Sequence, residues 1–236
     1  DALSDSLARR DSLVSAASDL HLEDFAVYGY RPNVPVVVLD ACFCGSFHRE
    51  DCIANEYIFQ RGGTIAVLAN TVNSLQDKWS DRLIGLLSQG GCVGDLARFS
   101  TYLESHVVGD PTYRFAPVEE MPDVDHLISY GSAGEWRQLL GSGTPELRCL
   151  AIDQLAARGA IGSGELLRLY EESPYAIVRL QAMRSAQDFR DDNAIRLLQL
   201  ASEDANELVQ RFAIKYMAES GDDRLIAALK IGRAHV

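Results

Sequence analysis

A 31-residue repeat in the second half of the sequence constrains the fold more than any other feature. Aliphatic residues recur at this spacing at Leu147, Val178 and Val209. Alanines share the register at Ala151, Ala182 and Ala213. Each unit has the pattern of two short helices, and one such pair cannot bury its apolar face alone. The repeat therefore predicts stacked helix pairs over residues 129–230 that share a continuous core.

These helix pairs resemble short HEAT-like repeats. The resemblance implies an all-α solenoid with an extended surface for a protein substrate or partner. Trp136, Leu139 and Leu140 would form an incomplete first unit. An irregular helical bundle is the alternative architecture for this half of the chain.

The first half has a different periodicity. Short β-branched runs at Val34–Leu39 and Thr64–Leu68 are typical of strands buried on both faces of a parallel sheet. Helical patterns separate and follow these runs, which predicts an α/β sheet with right-handed crossovers. We expect helices in residues 1–20, after an Asp51 cap, through Leu75, Trp79, Leu83 and Leu86, and from Asp95 to Leu103.

The octapeptide Asp40-Ala-Cys-Phe-Cys-Gly-Ser-Phe47 places Cys42 just after the first predicted strand. The carboxyl ends of strands are where open α/β sheets build their sites. A cysteine is a nucleophile only as the thiolate, which a nearby histidine or a helix N-terminus can stabilise. Gly45 and Ser46 permit a tight turn, and their amides can approach a substrate. A small buried thiol without chemistry is the alternative for Cys42.

Three segments together resemble the carboxyl-terminal part of the gingipain-type cysteine peptidase domain. They are VVVLDACFCGSF, GTIAVLANTV and VVGDPTYRF, and the resemblance covers residues 34–115. It implies a partial caspase-like α/β domain and a cysteine-type endopeptidase that acts on protein or peptide substrates. The family nucleophile lies in an Ala-Cys-x-x-Gly-x-Phe segment after a core strand, and by this match it is Cys42.

The sequence departs from the family at the general base. The family uses a His-Gly pair at the end of the strand before the nucleophile, and this chain has no such pair there. His21 and His48 are weak candidates for the role, whereas we expect His106 to be structural and His126 to lie in a linker. We therefore expect the base to lie upstream of Asp1 and this chain alone to be inactive.

Two further functions stay open. The missing His-Gly pair is compatible with a catalytically dead caspase-like scaffold for protein–protein interaction. The other alternative is a thiol redox domain that uses Cys42 and Cys44, although their spacing is not that of a CxxC motif.

The composition limits the classes of partner. The formal net charge is −12, most of it in the first 128 residues, which argues against nucleic-acid binding. The sequence contains no membrane-spanning segment. The five cysteines lack zinc-site spacing, there is no calcium loop, and we expect no metal or cofactor. Localisation stays open, and the resemblance is compatible with a secreted or extracytoplasmic protein.

The sequence predicts a partial α/β domain over 1–118, a linker over 119–128 and helical repeats over 129–230. The last six residues, 231–236, match the translation of a common sequencing adapter. We therefore expect this hexapeptide to be an artefact and assign it no function.

Overall fold

The computed structural model describes residues 2–18, 21–49, 51–74, 82–99, 102–117, 122–141 and 143–232. The chain divides into two compact units. The first comprises residues 1–74 and 100–113, and the second comprises residues 75–99 and 114–236. The first unit contains a small mixed sheet with helices, and the described part of the second is helical apart from one isolated β-bridge.

The sheet of the first unit has three strands in the order β1-β2-β3. Their bounds are Val36–Leu39, Ala66–Asn70 and Ser105–Gly109. Strand β1 runs parallel to β2, and β3 runs antiparallel to it. Every residue of β2 is buried, although the strand lies two residues later than the predicted Thr64–Leu68. The prediction of double burial is wrong for β1, which is only half-buried because it forms an edge of the described sheet.

Among its described residues, the first unit has three helices, namely α1 (Ala2–Ser18), α2 (Leu22–Val27) and α3 (Ile53–Phe59). Helix α3 connects the two parallel strands and packs on β2 and β3. Its N-cap is Cys52, one residue after the predicted cap Asp51. The core of this unit centres on Cys52, Ala54, Val67 and Ala69.

The first helix among the described residues of the second unit is a 3₁₀ helix, Ile84–Gln89, and it is followed by α4, Val93–Arg98. The later helices are α5 (Val124–Tyr130), α6 (Ala133–Leu139), α7 (Pro145–Ala157), α8 (Ser163–Glu172), α9 (Ala176–Ala186), α10 (Asp192–Ala201), α11 (Glu207–Ser220) and α12 (Ile226–Gly232), with a 3₁₀ turn at Asp223–Leu225. At the N-terminus of several of these helices, a side chain accepts a hydrogen bond from a backbone N–H group. Asp191 and Asn206, for example, accept backbone N–H groups at the starts of α10 and α11.

The alanines of the 31-residue register are buried on helices that contact one another. Ala151, Ala182 and Ala213 lie on α7, α9 and α11, and each is fully buried. Helix α9 contacts both α7 and α11, while α10 contacts α8. A methyl side chain lets neighbouring helices approach, and the larger aliphatic residues fill the remaining space.

Several predicted boundaries differ from the structure. Helix α5 begins at Val124, inside the predicted linker, because the Asp123 side chain caps it through the His126 N–H. Described residues 82–99 belong to the helical unit, whereas the sequence assigned them to the α/β domain. The helix predicted through Leu75 and Trp79 lies partly outside the described residues. Leu103 lies outside any helix and is highly exposed.

Candidate active site

A tight turn follows β1 and carries Cys42. Phe43, in this turn, has φ of 59°, in the left-handed region. The Phe43 N–H donates to the Val72 carbonyl at 3.1 Å, and the Gly45 N–H donates to the Asn70 carbonyl at 2.9 Å. These bonds fix the turn against the carboxyl end of β2. Glycine is required at 45, since a Cβ there would lie 2.8 Å from the Ala69 Cβ.

The Cys42 side chain is exposed and contacts one neighbouring residue in particular. Its Sγ accepts the Ser74 N–H at 3.2 Å and donates to the Ser74 carbonyl oxygen at 3.8 Å. The two contacts hold the sulfur against the main chain of Ser74. Within the described part of the chain, the Cys42 N–H itself donates to no backbone carbonyl.

Ser74 is held in place by a polar network that spans the three strand ends. Asp40 Oδ1 accepts hydrogen bonds from Asn70 Nδ2 at 3.1 Å and from Ser74 Oγ at 3.2 Å. Asn70 is almost fully buried, and its Oδ1 accepts the Ser105 hydroxyl at 2.6 Å. The network therefore couples the position of the Ser74 amide, and with it the Cys42 sulfur, to the sheet.

Gly45 and Ser46 lie in this turn as predicted, but their amides are used internally. The Gly45 N–H bonds to Asn70, and the Ser46 N–H donates to the Phe43 carbonyl at 3.2 Å. Ser46 is buried, and its hydroxyl donates to the Thr71 carbonyl at 2.8 Å. In this arrangement the two residues shape the turn and present no amide to a substrate.

The remaining thiols lie in less reactive surroundings. All five cysteines are free. Burial, followed by the neighbouring Cys42 and Cys52, raises the pKa of Cys44, which packs against the core of the first unit. Burial raises the pKa of Cys149, in the helical unit, to about 12. These groups stay protonated near neutral pH, and both are less exposed than Cys42.

No histidine of the described chain is hydrogen-bonded to the Cys42 sulfur. His21 is exposed at the start of α2, where its backbone N–H donates to Asp24. His48 is exposed in the turn region. His106 on β3 packs edge-to-face on Phe47 at 5.2 Å between ring centroids, which agrees with a structural role.

A second titratable cluster lies in the helical unit. Single ligand atoms of Cys92, Asp95 and Asp125 lie within 4.8 Å of one another, a spacing that metal sites use. Arg114 forms an ion pair with Asp125 and already supplies a positive charge. Burial, followed by the adjacent Asp125 carboxyl, raises the pKa of Asp95 to about 6. Asp95 therefore holds its proton to a higher pH than an exposed carboxyl group does.

Fold and geometry together define an exposed thiol at the carboxyl end of a parallel strand, held beside a backbone N–H donor. No family model, curated protein or solved structure matches this chain. Among the described residues, no helix is long and apolar enough to cross a membrane.

Proposed function

We propose that this chain carries the nucleophile of a gingipain-like cysteine endopeptidase, and that the nucleophile is Cys42. One observation carries the proposal: the Cys42 sulfur is exposed at the end of β1 and accepts the Ser74 N–H at 3.2 Å. The crossover from β1 through α3 to the parallel strand β2 also supports a partial caspase-like sheet.

The proposed reaction is acyl transfer from a peptide substrate to sulfur. The Cys42 thiolate attacks the scissile carbonyl carbon, and a C–S bond forms as the carbonyl oxygen takes the negative charge. The Cys42 N–H is one donor suited to that oxyanion. The C–N bond then breaks, the amine leaves with a proton from the general acid, and water hydrolyses the thioester to restore the thiol.

The general acid and base must come from an imidazole beside the sulfur. Neither His21 nor His48 is hydrogen-bonded to Cys42 in the described structure. The family resemblance assigns the role to a His-Gly segment upstream of β1. We therefore expect residues 1–236 alone to show no turnover, and a protein extended through the upstream reading frame to hydrolyse peptides.

The test compares variants of the extended protein on a panel of fluorogenic peptides. Cys42→Ala should abolish hydrolysis because it removes the nucleophile. Cys44→Ala is the matched control, two residues away, and should keep most of the activity. Hydrolysis that survives Cys42→Ala, or that is lost equally in Cys44→Ala, would contradict the assignment.

A catalytically dead scaffold is the second candidate, and it is favoured because no histidine among the described residues is hydrogen-bonded to Cys42. Iodoacetamide labelling of the 236-residue chain separates the two proposals chemically. A competent nucleophile should be alkylated faster than Cys44, whose pKa is raised by burial. Equal labelling, together with an inactive extended protein, would favour the scaffold.

We also propose that helices α6–α12 form a short HEAT-like array that binds a substrate or protein partner. Contacts between α7 and α9, α8 and α10, and α9 and α11 support stacking of successive helix pairs. Deleting residues 129–230 from the extended peptidase should weaken cleavage of a protein more than cleavage of a short peptide. Equal effects on both substrates would argue against a recruiting role.

A further inference from the structure

The turn that carries Cys42 also carries an exposed aromatic residue next to it. Phe43 follows Cys42 in the chain, so their Cα atoms are about 3.8 Å apart. One short segment after β2 holds both residues. The Phe43 N–H donates to the Val72 carbonyl at 3.1 Å, and the Cys42 Sγ accepts the Ser74 N–H at 3.2 Å. The Phe43 backbone is therefore fixed on the same segment that contacts the sulfur.

Phe43 is an unfavourable residue for its backbone conformation. Among the described residues other than glycine, it is the only one with a positive φ, at 59°. The Cβ of an L-residue is strained in this region, where glycine or asparagine is usual. The Phe43 side chain is also 40% exposed, so the fold buries only part of its apolar surface. Glycine would fit this backbone better, and a strained residue of this kind is typical of functional sites.

A neighbouring cation restrains the exposed ring. The Arg49 guanidinium carbon lies 5.2 Å from the centre of the Phe43 ring, within the range of a cation–π contact. This contact occupies one side of the ring. The exposed fraction of Phe43 shows that apolar surface beside the Cys42 turn stays open to solvent.

Two further apolar side chains are exposed around this turn. Val72, whose carbonyl accepts the Phe43 N–H, is exposed, and so is Phe47 at the end of the octapeptide. Another hydrogen bond, from the Ser46 hydroxyl to the Thr71 carbonyl, joins the same two segments. Exposed apolar residues that gather in one place indicate a binding site, whereas single ones are ordinary.

We propose that Phe43 determines the specificity of the Cys42 site by binding a large apolar side chain of the peptide substrate next to the scissile bond. The inference rests on the proposed function, because it names the substrate class of the same site. A phenylalanine or leucine side chain that covers the Phe43 ring removes apolar surface of both groups from water. An aromatic side chain gains further from ring–ring packing.

The first test needs no turnover and uses the 236-residue chain. Iodoacetanilide and iodoacetamide alkylate thiols in the same way, but only iodoacetanilide carries a phenyl ring. Tandem mass spectrometry distinguishes Cys42 from Cys44 and gives the two rates at Cys42, and glutathione gives the intrinsic ratio of the reagents. The ratio at Cys42 should exceed that of glutathione about fivefold, because the phenyl ring packs on Phe43. A ratio equal to that of glutathione would overturn the inference.

Variants of Phe43 locate the effect at the ring. Phe43→Gly and Phe43→Asn remove the ring and suit a positive φ, so both should bring the ratio down to that of glutathione. Phe43→Tyr keeps a ring and should keep the ratio of the parent chain. Phe59→Ala is the matched control, since it removes another exposed phenylalanine of the same unit, at the end of α3. An undiminished ratio in Phe43→Gly, or an equal loss in Phe59→Ala, would contradict the assignment.

Thermal unfolding separates specificity from a structural role. Phe43→Gly should not lower the melting temperature, because it relieves the backbone strain and removes little buried surface. A clear fall would assign the ring to stability instead. Iodoacetate tests whether the Arg49 cation selects an acidic group. A preference for iodoacetate over iodoacetanilide at Cys42, relative to glutathione, would overturn the apolar class of substrate.

The second test distinguishes this inference from the proposed function. The protein extended through the upstream reading frame is given peptides with Phe, Leu, Ser or Glu beside the scissile bond. The Phe and Leu peptides should have a kcat/KM about tenfold above the others, and Phe43→Gly should remove the difference. Turnover without this preference contradicts the present inference alone. No turnover contradicts the proposed function, while faster labelling by iodoacetanilide would still support an apolar binding surface at Cys42.

Discussion

At the scale of single residues, Asp204 shows how a buried charge is kept in this protein. Its side chain is only 3% exposed and that of Arg179 is 16% exposed. Burial alone would raise the pKa of Asp204, but hydrogen bonds from Arg179, Tyr170 and the Asn206 N–H outweigh it and lower the pKa. The same carboxylate raises the pKa of Arg179, chiefly through their hydrogen bond. A charged, hydrogen-bonded contact thus joins α9 to the loop that follows α10.

Asp204→Asn should destabilise the chain by about 2–4 kcal/mol, because it leaves the Arg179 cation without its charge partner. Urea unfolding at pH 7 measures the effect. Asp192→Asn is the control, since Asp192 pairs with Arg224 while 98% exposed, and it should change the free energy of unfolding by less than about 0.5 kcal/mol. Comparable losses in the two variants would contradict the account.

The sign of the pH dependence follows from the lowered pKa of Asp204. The contact with Arg179 contributes its full stability above the pKa of about 4 that the carboxyl has in the unfolded chain. That stability is lost as the pH falls through the lower pKa of the folded state. The destabilisation caused by Asp204→Asn should therefore shrink below pH 4.

Asp95 is predicted to have the opposite pH dependence. Its pKa is about 6 in the fold, against 3.8 as the ordinary value. The folded state therefore binds a proton more tightly, and the contribution to stability is greatest below pH 4 and falls as the pH rises to about 6. Asp95→Asn should be more stable than the parent chain by about 2 kcal/mol at pH 8, and nearly equal to it at pH 4.

Urea midpoints of the parent chain and Asp95→Asn between pH 4 and pH 8 check this prediction. Asp188→Asn, outside this cluster, serves as the control and should shift neither end of the curve. A variant less stable than the parent at pH 8 would show that the charged form is the one the site requires. In that case a bound cation at Cys92, Asp95 and Asp125 would become the better explanation.

At the scale of elements, the turn after β1 depends on how closely it approaches β2. A Cβ on Gly45 would lie 2.8 Å from the Ala69 Cβ and 3.0 Å from the Ala69 carbonyl carbon. Backbone atoms of a buried strand cannot move aside cheaply. The turn and strand therefore fit each other only when residue 45 has no side chain.

Gly45→Ala should lower the stability of the chain by about 1–3 kcal/mol through overpacking. It should also change the rate of Cys42 alkylation, because the turn that carries the thiol must move. Urea unfolding and timed iodoacetamide labelling measure the two effects. Gly143→Ala, where nothing lies within 4 Å of the added Cβ, should alter neither. Unchanged stability and labelling in Gly45→Ala would contradict the close contact.

The run Val34–Leu39 predicted β1, which spans Val36–Leu39, because a short β-branched run favours a strand. The second predicted strand, Thr64–Leu68, begins and ends two residues before β2, which spans Ala66–Asn70. The helical second half could be predicted from its periodicity. The contact of Ser74 with Cys42 could not, because the bonds to sulfur come from main-chain atoms that every residue carries. The sequence likewise gives no sign that Asp95 meets Asp125, since only the tertiary fold brings these positions together.

The predicted helix boundaries were wrong where capping and packing, and not hydrophobic periodicity, determine where a helix begins and ends. Asp95 was expected to start a helix, yet α4 starts at Val93 and Asp95 instead accepts the Cys92 N–H from its third helical position. The helical pattern through Leu86 became a 3₁₀ helix that ends at Gly90, whose φ is 83°. Hydrophobic spacing alone does not distinguish these outcomes, because it records which face is buried and not how the helix ends.

At the scale of the whole molecule, the helical unit can be a linear array or a single irregular bundle. Helix α11 buries Val209, Phe212, Ala213 and Met217, and it contacts α9 and α10. In a linear array each helix pair is stabilised mainly by its neighbours. The loss of helices at one end should therefore destabilise the adjacent pair most and distant pairs least. In a bundle every helix contributes to one core, so the loss of helices at one end destabilises all the others.

Ending the chain at Ala205 removes α11 and α12 and tests this difference. We expect a lower urea midpoint, because each buried aliphatic or aromatic side chain of α11 contributes about 1.5–3 kcal/mol. Hydrogen exchange should accelerate most in α9 and α10 and least in α7. A chain that ends at Gly232 loses only residues 233–236 and should match the parent chain throughout. Uniform acceleration from α7 to α10 would favour the bundle, because it would mean that the removed helices support one common core.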